Sequence, residues 1–73
     1  MADASLDATG LKCPLPVLKA KRSIKPLAAG DILEVRATDP GAVADFQHFC
    51  EIGGYTLLES REERGVFTFR IRK

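Results

Sequence analysis

The chain has 73 residues, 45% of them hydrophobic and 29% charged, with 11 Lys plus Arg against 10 Asp plus Glu and a net charge of +1. That length predicts one small domain over residues 1–73, and the hydrophobic share is ordinary for a globular chain and argues against disorder. No apolar run approaches the roughly 18 residues a membrane span needs, Met1 to Ser5 lacks the basic and apolar regions of a signal peptide, and near-neutral charge favours neither nucleic acid nor an anionic membrane as a default partner.

Breakers divide the sequence cleanly. Ser5 to Ala8 reads as a short strand, and Thr9-Gly10-Leu11-Lys12 as a connector. Pro14 to Lys25 reads as a helix, because Val17, Ala20, Ile24 and Leu27 recur at spacings of three and four and form one face. Pro26 ends it, and Ala28-Ala29-Gly30-Asp31 is a turn. Ile32 to Thr38 alternates as a half-buried strand. Asp39-Pro40 is expected to start a second helix, with Asp39 as its N-cap and Pro40 at the first helical position. The apolar face of that helix is Ala42, Phe46, Phe49 and Cys50, and Gly53-Gly54 ends it. Thr56 to Glu62 and Val66 to Arg72 are strands joined through Glu63-Arg64-Gly65. The order β-α-β-α-β-β predicts an α+β two-layer sandwich, both helices covering one sheet face. The expected core is Leu6, Val17, Ala20, Ile24, Leu33, Val35, Phe46, Phe49, Leu58, Phe67, Phe69 and Ile71.

Two cysteines and one histidine limit the chemistry. A structural zinc site usually takes four Cys or His ligands, more than this chain has. Without a secretory signal, a reducing cytoplasmic setting is expected, where a cysteine is catalytic, redox-active or buried. Cys13 stands just before the first helix, in Lys12-Cys13-Pro14-Leu15-Pro16. Free N–H groups, the helix dipole and the Lys12 cation would stabilise a thiolate or persulfide anion there, with a pKa below the usual value of about 8.5. Cysteine is a poor N-cap and the prolines hold the backbone, so a reactive thiol is favoured over a niche-filling one. Cys50 has the opposite setting, on an apolar face beside Phe46 and Phe49, and reads as a small core residue. His48 points away from Cys50 on a helix and reads as solvated. Leu15, Leu18, Lys19 and Arg22 surround Cys13 by helical spacing, an apolar spot ringed by cations that suits docking of an acidic partner. The open sheet face mixes Glu34 with Arg36, Arg70 and Arg72 and lacks exposed aromatics, which disfavours RNA.

The stretch from Leu6 to Val17, with Gly10-Leu11-Lys12-Cys13-Pro14-Leu15-Pro16 at its centre, resembles the Cys-Pro-x-Pro element of the TusA/SirA-like sulfur-carrier family. The similarity continues through Asp39-Pro40, Phe49-Cys50 and Arg70 to Lys73, nearly the whole chain. The resemblance implies a mixed sheet in the order 1-2-4-3, with the fourth strand antiparallel to the others. It implies that Cys13 accepts sulfane sulfur as a persulfide and passes it on, supported by Lys12, Pro14 and Pro16, with no metal or organic cofactor. The implied partners are a sulfur-donor protein, a cysteine desulfurase or rhodanese-like, and a downstream acceptor protein. The implied outlets are tRNA thiolation, molybdenum-cofactor assembly or sulfur oxidation. One departure is Tyr55, where many members carry a histidine after the second helix. Two other readings stay open: a thiol redox or regulatory module acting through a Cys13 mixed disulfide, and an interaction domain whose thiol is incidental.

Overall fold

A computed structural model describes residues 2–73. The elements are β1 (Ala4–Ala8), α1 (Leu15–Ile24), β2 (Ile32–Ala37), α2 (Ala42–Gly53), β3 (Thr56–Glu63) and β4 (Val66–Arg72). The sheet order is β1-β2-β4-β3, with β1 and β2 parallel and β4 antiparallel to both of its neighbours. Among the described residues no helix is long and apolar enough to cross a membrane.

Both helices cover one face of the sheet. The buried stripe of α1 is Pro16, Ala20 and Ile24, and that of α2 is Ala42, Phe46 and Cys50. Each stripe repeats at four-residue spacing, one row of a helix surface. Beneath them lie Leu33, Val35, Phe69 and Ile71, all fully buried. The Phe46 ring stacks on Phe69 at a centroid distance of 4.6 Å. Leu6, Val17, Phe49 and Phe67 are partly buried and pack against this core. Small residues complete it where the layers approach closely, with Ala8, Ala37 and Ala42 at 0–1% exposure.

Four expectations are corrected. Leu58 is 44% exposed and Leu57 packs against the core in its place. The cause is an irregularity between Leu57 and Glu59, where β3 slips against β4. An extra residue in a strand reverses the facing of everything beyond it. Helix α1 begins at Leu15, with Pro14 as its N-cap. Helix α2 begins at Ala42 after Gly41, later than expected, although Asp39 Oδ1 still accepts the Gly41 N–H in the manner of a cap. The β3–β4 connection is a two-residue turn, since Glu63 pairs with Val66. Arg64 and Gly65 take φ values of 52° and 80° there, the left-handed pair that matches strand twist.

The parallel pairing of β1 with β2 positions the site. Ala8 is level with Ala37, so both strands end at the same edge of the sheet. The connector leaving β1 toward α1 therefore runs beside the connector leaving β2 toward α2. The other end of the sheet is closed by Gly30 and Asp31, which pair through the backbone with Lys73 at 2.8 and 2.9 Å.

Candidate functional site

The connector after β1 is held by a series of local bonds. Asp7 Oδ1 accepts from the Thr9 N–H at 3.0 Å and from the Thr9 hydroxyl at 2.6 Å. The Gly10 N–H donates across to Thr38 Oγ1 at 2.9 Å. Gly10 has φ 80°, so the chain reverses in a conformation that favours glycine. Cys13 follows, exposed, and its peptide bond to Pro14 is cis.

Two carboxylates from the neighbouring crossover meet Cys13. Asp39 Oδ2 accepts the Cys13 N–H at 2.5 Å, while its Oδ1 accepts the Gly41 N–H at 3.1 Å. Asp39 thus clamps the two connectors together. The Cys13 thiol donates to Asp45 Oδ2, from the first turn of α2. These neighbours overturn the expectation of a lowered thiol pKa. The Asp45 hydrogen bond, then partial desolvation, then the charges of Asp45 and Asp39 hold the Cys13 pKa above its ordinary value. A thiol hydrogen-bonded to a carboxylate resists becoming a second anion beside it. The N-terminus of α1 lies two residues further on, and a helix dipole fades within a turn. Lys12 is exposed, and its charge acts on Asp39, whose pKa is lowered chiefly by the Cys13 and Gly41 N–H bonds.

The sequence marks Asp39 only as the cap of the second helix and does not single out Asp45, whereas in the fold both reach Cys13. A signal for both was present: adjacent parallel strands bring the starts of successive helices to one place. Acidic residues in the second connector and in the first turn of α2 then lie beside a residue that precedes α1.

The structure brings the other candidate residues to two sides of α1. Pro14 is exposed beside Cys13 and Pro16 is buried in the core. Leu15 and Leu18 are 45% and 51% exposed, and they share a shallow depression with Lys19, Lys21, Arg22 and Lys25. Between α1 and α2 runs a second concavity of about 420 Å³, with Pro14 and Asp45 at the end nearest the thiol. Its walls include Val17, Leu18, Phe49, Ile52 and Tyr55, with Lys21, Lys25 and His48 also lining it. Cys50 is 4% exposed, and burial raises its pKa. Among the described residues no group of three or more His, Cys, Asp or Glu side chains could hold a metal ion.

Residues 4–73 match the family model described as Sulfurtransferase TusA. The chain belongs to the TusA family. It is 51% identical over 71 residues to the sulfur carrier protein TusA of Allochromatium vinosum, covering 97% of this chain and 93% of that protein. It is 48% identical over 71 residues to the sulfur carrier protein TusA of Pseudomonas putida strain F1, covering 97% and 89%. A crystal structure of the SirA-like protein from Desulfitobacterium hafniense superposes with a TM-score of 0.84 at 30% identity, covering 94% of this chain and 95% of that one. This likeness at the level of sequence and fold supports a sulfur-carrier role, and carriers of the TusA family imply a sulfur donor and a sulfur acceptor.

Proposed function

We propose that the chain accepts sulfane sulfur as a persulfide on Cys13 and delivers it to an acceptor protein, in a reducing cytoplasmic setting. The observation that carries this reading is the exposed Cys13 thiol, fixed through its backbone by Asp39 and through its sulfur by Asp45. The approximately 50% identity to named sulfur carriers supplies the class of chemistry. Cys13 is the acceptor and donor of sulfur, Pro14 shapes its loop, Pro16 anchors the first turn of α1 in the core, and Lys12 partly offsets Asp39.

Loading begins when the Cys13 thiol loses its proton to a base on the donor or to water. The thiolate attacks the outer sulfur of the donor persulfide. A new S–S bond forms on Cys13, the old S–S bond breaks, and the donor cysteine leaves as a thiolate. Unloading repeats the step: an acceptor thiolate attacks the outer sulfur of the Cys13 persulfide, and Cys13 leaves as a thiolate and takes up a proton. Each transfer moves one sulfur with no net oxidant or reductant.

Asp45 tunes both halves. A thiol with a higher pKa is less often ionised, is more nucleophilic once ionised, and leaves more slowly. The carrier at rest is thereby kept as an unreactive thiol, and a loaded carrier holds its sulfur until a partner changes the surroundings of Asp45.

Intact-mass measurement after incubation with a small-molecule persulfide donor tests the reading. The expected result is one added sulfur, absent in Cys13→Ser. A disulfide adduct would favour a redox module, and an unchanged mass would leave the thiol incidental.

A further inference from the structure

The groove between α1 and α2 is the more apolar of the two depressions beside α1, and the two meet along Leu18, Lys21 and Lys25. Leu18 at 51% and Ile52 at 75% exposure are large hydrophobic side chains in water, and both line it. Apolar patches of this kind on small proteins mark interaction sites. Its floor is preformed. The Phe49 and Tyr55 rings lie 5.2 Å apart, and the Tyr55 ring covers Gly53 so closely that a Cβ there would collide with it. One wall carries Lys21 and Lys25, one helical turn apart and both exposed. Among the described residues the only ion pair joins Arg61 to Glu59 on β3, so neither lysine is paired. The groove ends at Pro14 and Asp45, and Asp45 accepts the hydrogen bond from the Cys13 thiol.

We propose that this groove receives a segment of the protein partner that carries apolar side chains flanked by carboxylates. This rests on the reading of the chain as a sulfur carrier and specifies the partner for that site. The apolar side chains fill the space over Phe49 and Tyr55 while the carboxylates meet Lys21 and Lys25. A basic segment would bring like charges together at the same wall, which is how charge sets partner choice. A segment seated here has one end against the Asp45 carboxylate. The partner's reacting sulfur is thus brought to Cys13 from the α2 side, and the Lys19 and Arg22 flank of α1 is left outside the main contact.

The test uses the full chain labelled with ¹⁵N and two synthetic peptides with blocked ends. In one, leucines alternate with glutamates; in the other, lysines replace the glutamates. The glutamate peptide is expected to shift the amide signals of Leu18, Lys21, Ile52 and Tyr55, and to bind about tenfold more tightly than the lysine peptide, a ratio equal to about 1.4 kcal/mol. The double variant K21E/K25E, altered only at exposed side chains, should reverse that preference with an unchanged melting temperature. Equal binding of the two peptides would overturn the proposal. So would shifts confined to Lys19 and Arg22 or to the open sheet face, or no shift at millimolar peptide. Shifts that grow with protein concentration before any peptide is added would assign the groove to a second copy of the chain. Sulfur loading of the same samples, read by intact mass, stands apart: K21E/K25E should load normally from a small-molecule donor. Failure of the wild-type chain to load would refute the carrier reading whatever the peptides do.

Discussion

The chain holds two cysteines, both with a thiol pKa raised above its ordinary value, and they are raised for different reasons. Cys50 is raised by burial among the side chains that join α2 to the sheet. Cys13 is exposed and is raised chiefly by a hydrogen bond to Asp45. Desolvation by the core can be lifted only by opening the core. A carboxylate at the surface can be neutralised by a partner's cation, shielded or moved aside. The direction of a pKa shift therefore says little about reactivity until its cause is known. One thiol is closed by packing, and the other is held by a contact that an encounter can undo.

The widest separation between them is functional. Cys13→Ser should abolish sulfur loading entirely, whereas Cys50→Ser should load like the parent chain, with intact mass as the measurement. Retained loading in Cys13→Ser would exchange the two roles.

The next way to break the contrast is to open the core. Phe46 is fully buried against Phe69, and Phe46→Ala is expected to cost about 3–5 kcal/mol, most of the stability of a domain this small. The same variant should make Cys50 accessible to alkylation in native buffer, closing the gap in labelling rate. Chemical denaturation and timed labelling check the two effects on one sample.

A smaller effect separates the causes themselves. Asp45→Asn removes the charge and the carboxylate acceptor that raise Cys13. The Cys13 pKa should fall, so at neutral pH more of it is thiolate and alkylation is faster. Cys50 should not respond. Labelling rate against pH gives both curves, and a Cys13 profile unmoved by Asp45→Asn would remove Asp45 from the account.

The smallest expected effect is in the clamp. The folded pKa of Asp39 lies below the usual 3.8 because its carboxylate accepts the Cys13 and Gly41 N–H bonds. A depressed carboxylate contributes stability above its unfolded pKa and loses it as pH falls through the folded value. The two amide proton signals should therefore stay in place down to about 3.8, the ordinary aspartate value, and move only below it. Movement near neutral pH would mean that another group governs the loop.

Much of this contrast was legible in the residues. Cys50 follows Phe46 by one helical turn, and that spacing alone places it on the buried face. Ala20 and Ile24 on α1 and the β4 alternation of Phe67, Phe69 and Ile71 likewise follow from local periodicity, whereas the buried start of the α1 stripe is Pro16 rather than Val17. The exchange of Leu58 for Leu57 did not, because a register slip in β3 leaves alternation within each half intact. The environment of Cys13 is not legible in the sequence for a different reason. Lys12 and the helix start are its neighbours in sequence, whereas Asp39 and Asp45 are 26 and 32 positions away. Local reading supplied the positive field and missed the nearer negative one, which only the pairing of β1 with β2 brings into place.

That pairing also sets where the chain can be handled without harm. Ala4 is level with Leu33, and Leu33 with Ile71, so both described termini leave from the edge remote from Cys13. The sheet puts roughly 15–20 Å between the two edges, at about 3.3 Å per residue. A tag, a surface anchor or a fused domain joined at either end hangs from the edge closed by Gly30 and Lys73 and leaves the sulfur facing outward. A chain held at either end therefore keeps Cys13 on its free side.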